Sequence, residues 1–205
     1  ATAGTLVIQQ AATTTAVICS AGPFTYSGTP FTPCTAAVSG PGGLNLVLTV
    51  VYANNTNAGT ASASASYAGT ADYLASSSST NFTIGKATPS LAVTNSPVNY
   101  DGTAKTAALF SSVPGAVSNI RYNGSATAPI NAGTYAVTAN FTPTDTTNYA
   151  TLSSAGAGNF VIQKAGTPVL SVSNPSVTYN GAAQAAVVVG SVPGTASNVK
   201  YNGSA

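Results

Sequence analysis

The chain has 205 residues and only eight formal charges, five Lys or Arg and three Asp, with no Glu, His, Met or Trp. A net charge of +2 spread this thinly cannot hold a phosphate backbone, and the composition offers no carboxylate pair or imidazole of the kind hydrolytic chemistry uses. The remainder is rich in Thr, Val and Tyr, which favour strands, and in Gly, Asn, Ser and Pro, which make turns.

In chain order, the first element is Leu6-Val7-Ile8-Gln9-Gln10, which alternates as a strand with Leu6 and Ile8 facing a core. The same ending returns as Phe82-Thr83-Ile84-Gly85-Lys86 and Phe160-Val161-Ile162-Gln163-Lys164. Each is followed by Ala and then by a new first strand, so the joints fall near Gln10, Lys86 and Lys164 with almost no linker.

Cys19 and Cys34 are the only cysteines, separated by SAGPFTYSGTPFTP. Without His and with few carboxylates nearby, neither a zinc site nor a base-activated thiol can be assembled. A disulfide is the preferred reading and two buried free thiols the alternative. Aligning Tyr26 with Tyr100 sets Cys19 opposite Val93 and Cys34 opposite Ala108, on strands flanking one turn. A bridge there would indicate an oxidising, extracellular location.

The block beginning at Leu91, LAVTNSPVNYDGTAKTAALFSSVPGAVSNIRYNGSA, returns from Leu170 as LSVSNPSVTYNGAAQAAVVVGSVPGTASNVKYNGSA. Such self-similarity marks an array of small domains. Within a unit, a first strand at Leu91 and Val93 precedes an extended piece at Val98–Tyr100. Turns follow at Asp101-Gly102, with counterparts Asn180-Gly181 and Ser27-Gly28. A strand through Ala107–Phe110 (Ala186–Val189 in the later copy) leads to Pro114-Gly115 and Pro193-Gly194. The next strand ends at Tyr122, equivalent to Tyr52 and Tyr201, before turns at Asn123-Gly124 and Asn202-Gly203.

Asn131-Ala132-Gly133-Thr134, repeated at Asn57-Ala58-Gly59-Thr60, opens the cleanest alternating strand. Tyr135, Val137, Ala139 and Phe141 share one face, as do Ala61, Ala63, Ala65 and Tyr67; a one-residue slip would turn the aromatic residues to water. Tyr149, matched by Tyr73, stands before a late strand, where an Ig-like tyrosine corner would bond its hydroxyl back to the backbone; a half-buried Tyr with its tip in water is the alternative. Six or seven short strands in about 77 residues, with turn signals every ten or so, give an all-β fold of tandem Ig-like β-sandwich repeats.

The Tyr100-Asp101-Gly102 turn, the Asn131-Ala132-Gly133-Thr134-Tyr135 strand opening and the Phe160–Ala165 joint resemble the MBG/YDG-type Ig-like repeats of large bacterial surface adhesins. The first unit resembles a related bacterial Ig-like variety. The resemblance implies stacked repeats in a secreted or surface-anchored protein and brings no catalytic residues.

Four parts are expected: 1–9, the last strand of a preceding repeat; 10–86, an Ig-like repeat holding Cys19–Cys34; 87–164, an MBG/YDG-like repeat; and 165–205, the first half of a further repeat. Half a sandwich leaves sheet edges and an apolar face open, so adjacent material is expected to complete it. With no initiating Met, no charged-then-apolar leader and an apolar stretch at Leu44–Ala53 too short for a bilayer, the chain reads as a piece of something longer. The function expected is non-catalytic and extracellular: a stalk or filament segment of a bacterial adhesin or fibre, partnered by adjacent repeats or copies of itself. No cofactor, metal, nucleic acid or membrane span is called for. Recurrent Lys86 and Lys164 read as exposed joint residues, since a Lys–Asn crosslink needs a buried acid. The alternative is a carbohydrate- or surface-binding module using exposed Tyr residues such as Tyr52, Tyr122 and Tyr201.

Overall fold

The structure, a computed structural model, describes residues 4–201. It is all-β and sandwich-like, with one short 3-10 turn at Pro41–Gly43 and no α-helix among the described residues. Among the described residues no helix is long and apolar enough to cross a membrane.

The first segment carries β1 (Thr14–Cys19), β2 (Phe24–Thr25), β3 (Cys34–Gly40), β4 (Leu44–Leu48), β5 (Val51–Ala53), β6 (Gly59–Tyr67) and β7 (Ser76–Gly85). They form a three-stranded sheet, β1-β3-β4, and a four-stranded sheet, β2-β7-β6-β5. The second segment carries β8 (Leu91–Val93), β9 (Val98–Asn99), β10 (Leu109–Ser111), β11 (Gly115–Tyr122), β12 (Gly133–Pro143) and β13 (Leu152–Gln163), paired as β10-β8 and β11-β12-β13-β9. A third, shorter segment has β14 (Leu170–Val172) and β15 (Val188–Gly190), the counterparts of β8 and β10. β2 and β9 are the parallel members of sheets otherwise antiparallel, each lying beside the end of its segment's last strand.

Alternation drives the burial. Along β12, Val137, Ala139 and Phe141 are fully buried, and along β6 Ala61, Ala63 and Ala65 are buried in the same alternation. Across from them lie Phe160 and Ile162 on β13, and Phe82 and Ile84 on β7. Counted from Gly59 and Gly133, which pair with Ile84 and Ile162, the first segment thus has Ala61 and Ala63 where the second has Tyr135 and Val137. Aromatic rings make up the volume: Phe24 packs against Phe31 and Phe82 at 5.3 and 5.8 Å, and Tyr52 meets Phe82 at 6.2 Å, most of them edge-on or tilted as ring quadrupoles prefer.

β13 runs much further back than its Phe160–Lys164 ending suggests. Ala155 and Ala157 face inward in one phase, Phe160 and Ile162 in the other. Gly158 has φ of +99°, and the register against β12 shifts beside it. A bulge at a residue without a Cβ therefore resets the alternation and keeps the strand paired.

Several expectations are corrected. Leu6 and Ile8 face no core here but are 87% and 89% exposed, because they lie outside the described strands, whereas Phe82 and Ile84 pack into the core of their own segment. The strand expected at Ala107–Phe110 is Leu109–Ser111, and its later copy is Val188–Gly190 rather than Ala186–Val189. Cys34 stands at the place of Leu109, which faces Val93, not of Ala108; the second segment has one more residue in this loop. The Asn202-Gly203 turn lies outside the described residues.

Candidate functional site

The Cys19–Cys34 disulfide is formed, S–S 2.00 Å, between residues that face each other across β1 and β3. Two thiols in one antiparallel pair at the end of both strands need no backbone movement to bond.

Tyr52, Tyr122 and Tyr201 play one structural part. The Tyr122 hydroxyl accepts the Ala107 N–H at 2.8 Å, and the Tyr201 hydroxyl accepts that of Ala186 at 2.7 Å. The Tyr52 hydroxyl accepts the Cys34 N–H and donates to the Cys34 carbonyl, both at 2.9 Å. Tyr122 is only 5% exposed, its ring tilted on Phe160 at 6.0 Å. The set read as a ligand-binding surface is thus a staple that satisfies a backbone amide at the start of β3 or two residues before β10 and β15.

Tyr73 bonds its hydroxyl back to the backbone as a corner would, though to a distant residue, and Tyr149 does not repeat that bond. Tyr73 donates to the carbonyl of Pro41, far upstream in the 3-10 turn, at 2.8 Å, while the Tyr149 ring stacks edge-on against Tyr26 at 5.4 Å. The short hydroxyl-to-backbone bond occurs instead at Tyr135, which donates to Asn131 O, four residues back, at 2.8 Å.

The Tyr149–Tyr26 contact belongs to the most elaborate polar site in the molecule, where the first two segments meet. The connection is short. β7 ends at Gly85, and Ala87 is already held, its N–H donating to Asn148 O and its carbonyl accepting from Ala150 N, both at 2.9 Å. Ala11 is held in the same way by Asp72 O and Leu74 N.

Asp145 opens the loop before β13. Its Oδ1 accepts the N–H groups of Thr147 and Asn148 at 3.1 and 3.0 Å, and its Oδ2 accepts Asn148 Nδ2 at 2.8 Å. A carboxylate only accepts, so the Asn148 amide must turn its nitrogen to Asp145 and its oxygen outward. That oxygen accepts the Ala58 N–H at 2.8 Å, while Nδ2 also lies 3.4 Å from Asn57 Oδ1. Asn148 is 7% exposed, buried by the contact it makes. The Asn148 side chain foremost, then its backbone N–H, holds the Asp145 carboxyl below the usual range, with the charge of Lys86 a smaller cause. Lys86 Nζ donates to Thr146 O at 2.6 Å, so this exposed joint residue is also a tether, and Gln10 Nε2 makes the equivalent bond to Thr70 O at 2.6 Å.

Sequence reasoning read Asn57-Ala58 as a strand opening and Asn148-Tyr149 as a corner. The signal that joins them is their placement at opposite ends of successive units. The far end of the second segment carries Tyr100, Asn131-Ala132 and Lys164 at the places of Tyr26, Asn57-Ala58 and Lys86, and Tyr100 N donates to Gln163 O at 2.9 Å as Tyr26 N does to Gly85 O.

These units form a class of small sandwich-like β modules strung on one chain. The chain belongs to the MBG domain family, which matches residues 90–166 and again 169–205, together more than half of its length. No curated protein matches the chain.

Proposed function

We propose that the chain is a non-catalytic, extracellular structural array, a stalk or filament segment of a bacterial surface adhesin or fibre, in which 10–86, 87–164 and 165–205 are successive repeats. The observation that carries this reading is the junction at Asn148. One residue, Lys86, separates the end of β7 from Ala87, which bridges Tyr149, and Asn148, Tyr149 and Lys86 bind the units together across it. Short, bonded joints oppose bending and turn a string of modules into a spacer. The disulfide suits an oxidising compartment. The partners of such an array are the adjoining repeats.

A carbohydrate- or surface-binding module using exposed Tyr residues is the weaker reading, because Tyr122 is buried and its hydroxyl is committed to Ala107. The test is the alignment of the full chain in a dilute liquid-crystalline medium. Residual dipolar couplings from 10–86 and 87–164 should fit one common tensor; two independent tensors would mean that the units swing freely and the spacer reading is lost.

A further inference from the structure

In the first segment the disulfide encloses β2. Cys19 ends β1, Cys34 begins β3, and residues 20–33 form the loop between them. β2 runs parallel to the end of β7, with Phe24 opposite Ile84 and Thr25 opposite Gly85. The second segment repeats the arrangement with β9 against β13, Val98 opposite Ile162 and Asn99 opposite Gln163. There the places of the cysteines are taken by Val93 and Leu109, and no covalent bond closes the loop.

In both segments the chain enters beside the start of the last strand, where Ala11 bridges Tyr73 and Ala87 bridges Tyr149, and it leaves from that strand's far end. Opposed pulls on the two ends therefore draw β9 and β13 past each other along their common axis. The backbone bonds lie across that axis, so they strain together rather than in succession. The covalent path from Val93 to Leu109 runs through β9 and puts that pair under load. In the first segment the path crosses directly from Cys19 to Cys34, whose Cα atoms are 3.9 Å apart, and the loop with β2 hangs off it.

We propose that the Cys19–Cys34 disulfide is a load shunt, carrying tension past β2. The shunt keeps tension off the β2–β7 pairs, so Phe24, Phe31 and the Tyr26–Tyr149 contact are not loaded until the strands around them give way. This rests on the stalk reading above, with the stalk pulled from its two ends.

The test is single-molecule stretching of the full chain with handles at both ends, oxidised and after an added dithiol, itself oxidised to a disulfide, has returned the cysteines to thiols. Reduction should lengthen the extension released by the first unit by about 50 Å, fifteen Cα steps of about 3.6 Å less the span already bridged, and leave the second unit's unchanged. Tyr26→Pro, which removes the N–H bonded to Gly85 O, should lower the rupture force of the first unit only in the reduced chain. Tyr100→Pro, its counterpart on β9, should lower that of the second unit in both states. Phe24→Ala and Val98→Ala give the same comparison if a proline variant does not fold. A Tyr26→Pro effect that is equal in the two redox states, or absent from both, overturns the shunt. Units that extend with no rupture peak at all would instead remove the stalk reading itself.

Discussion

Replacing Tyr122 by Phe removes one oxygen and little else. The ring keeps its place against Phe160, so no cavity opens, but the Ala107 N–H loses its acceptor. Tyr122 is 5% and Ala107 8% exposed, so water cannot reach the orphaned amide without disturbing the core. An unpaired buried donor costs about 1–3 kcal/mol. For a unit of this size each kcal/mol moves the midpoint by roughly 4–8 °C, so the second unit should melt on the order of 10 °C lower. Differential scanning calorimetry of the full chain resolves it, with Tyr201→Phe as the internal comparison. Tyr201 makes the same bond to Ala186 but is 49% exposed, so water replaces its hydroxyl and the loss should stay below about 0.5 kcal/mol. If Tyr122→Phe shifts the transition no more than Tyr201→Phe does, the hydroxyl is not a structural staple and the reading of the three tyrosines fails.

Three further outcomes are expected. Asn148→Ala should leave each unit folded but speed hydrogen exchange at the Ala58 amide and split the common alignment tensor; an unchanged Ala58 rate would show that Asn148 does not hold the joint. Gly115→Ala would set a Cβ 2.5 Å from both Phe141 Cζ and Thr142 O and should destabilise by about 1–3 kcal/mol or more, whereas Gly156→Ala, with nothing within 4 Å, should change little; chemical denaturation compares the two. Asp101 is held well below the usual carboxylate range, first by the Lys105 ammonium and then by the Thr103 hydroxyl and amide. Its folded-state value is depressed, so the stabilisation is complete above the ordinary carboxyl value and fades as pH falls through the folded one; a carboxyl carbon titration that gave Asp101 an ordinary midpoint would contradict the contact.

The parts legible in the sequence were those that a single strand or turn announces by itself. Alternation along Tyr135–Phe141 located a buried face, and glycines 28, 102 and 181, all with φ near +80°, stand in the turns expected of them. The disulfide followed from two cysteines without other chemistry to do. Elements that depend on distant partners stayed hidden. β2 has two residues, too few for any period, and exists because the last strand offers it an edge; β9 was expected as an extended piece at Val98–Tyr100, but its parallel partner on β13 was not. The bulge at Gly158 breaks the alternation that would have extended β13 backward. The junction was hidden most thoroughly, because Asn57-Ala58 and Asn148 lie some ninety residues apart, the one read locally as a strand opening and the other as part of a corner.

Comparison of the units suggests what the array requires of its residues. At the joints, a Gln and a Lys in turn reach the same carbonyl position, Gln10 to Thr70 and Lys86 to Thr146. In the turn after the second strand, Asp101 with Lys105 in one unit becomes Asn180 with Gln184 in the next, the ion pair giving way to a neutral hydrogen bond between the same positions. These contacts are exposed, and an exposed ion pair contributes little beyond a hydrogen bond, so the charge can be dropped while the connection is kept. The staple at Tyr52, Tyr122 and Tyr201 behaves differently: the acceptor is a Tyr hydroxyl every time. In the complete second unit it answers a buried amide, where a missing acceptor would cost more than a lost surface pair. An array built on that division needs few charges, and its surface of uncharged Thr, Ser and Asn follows from where its hydrogen bonds are placed.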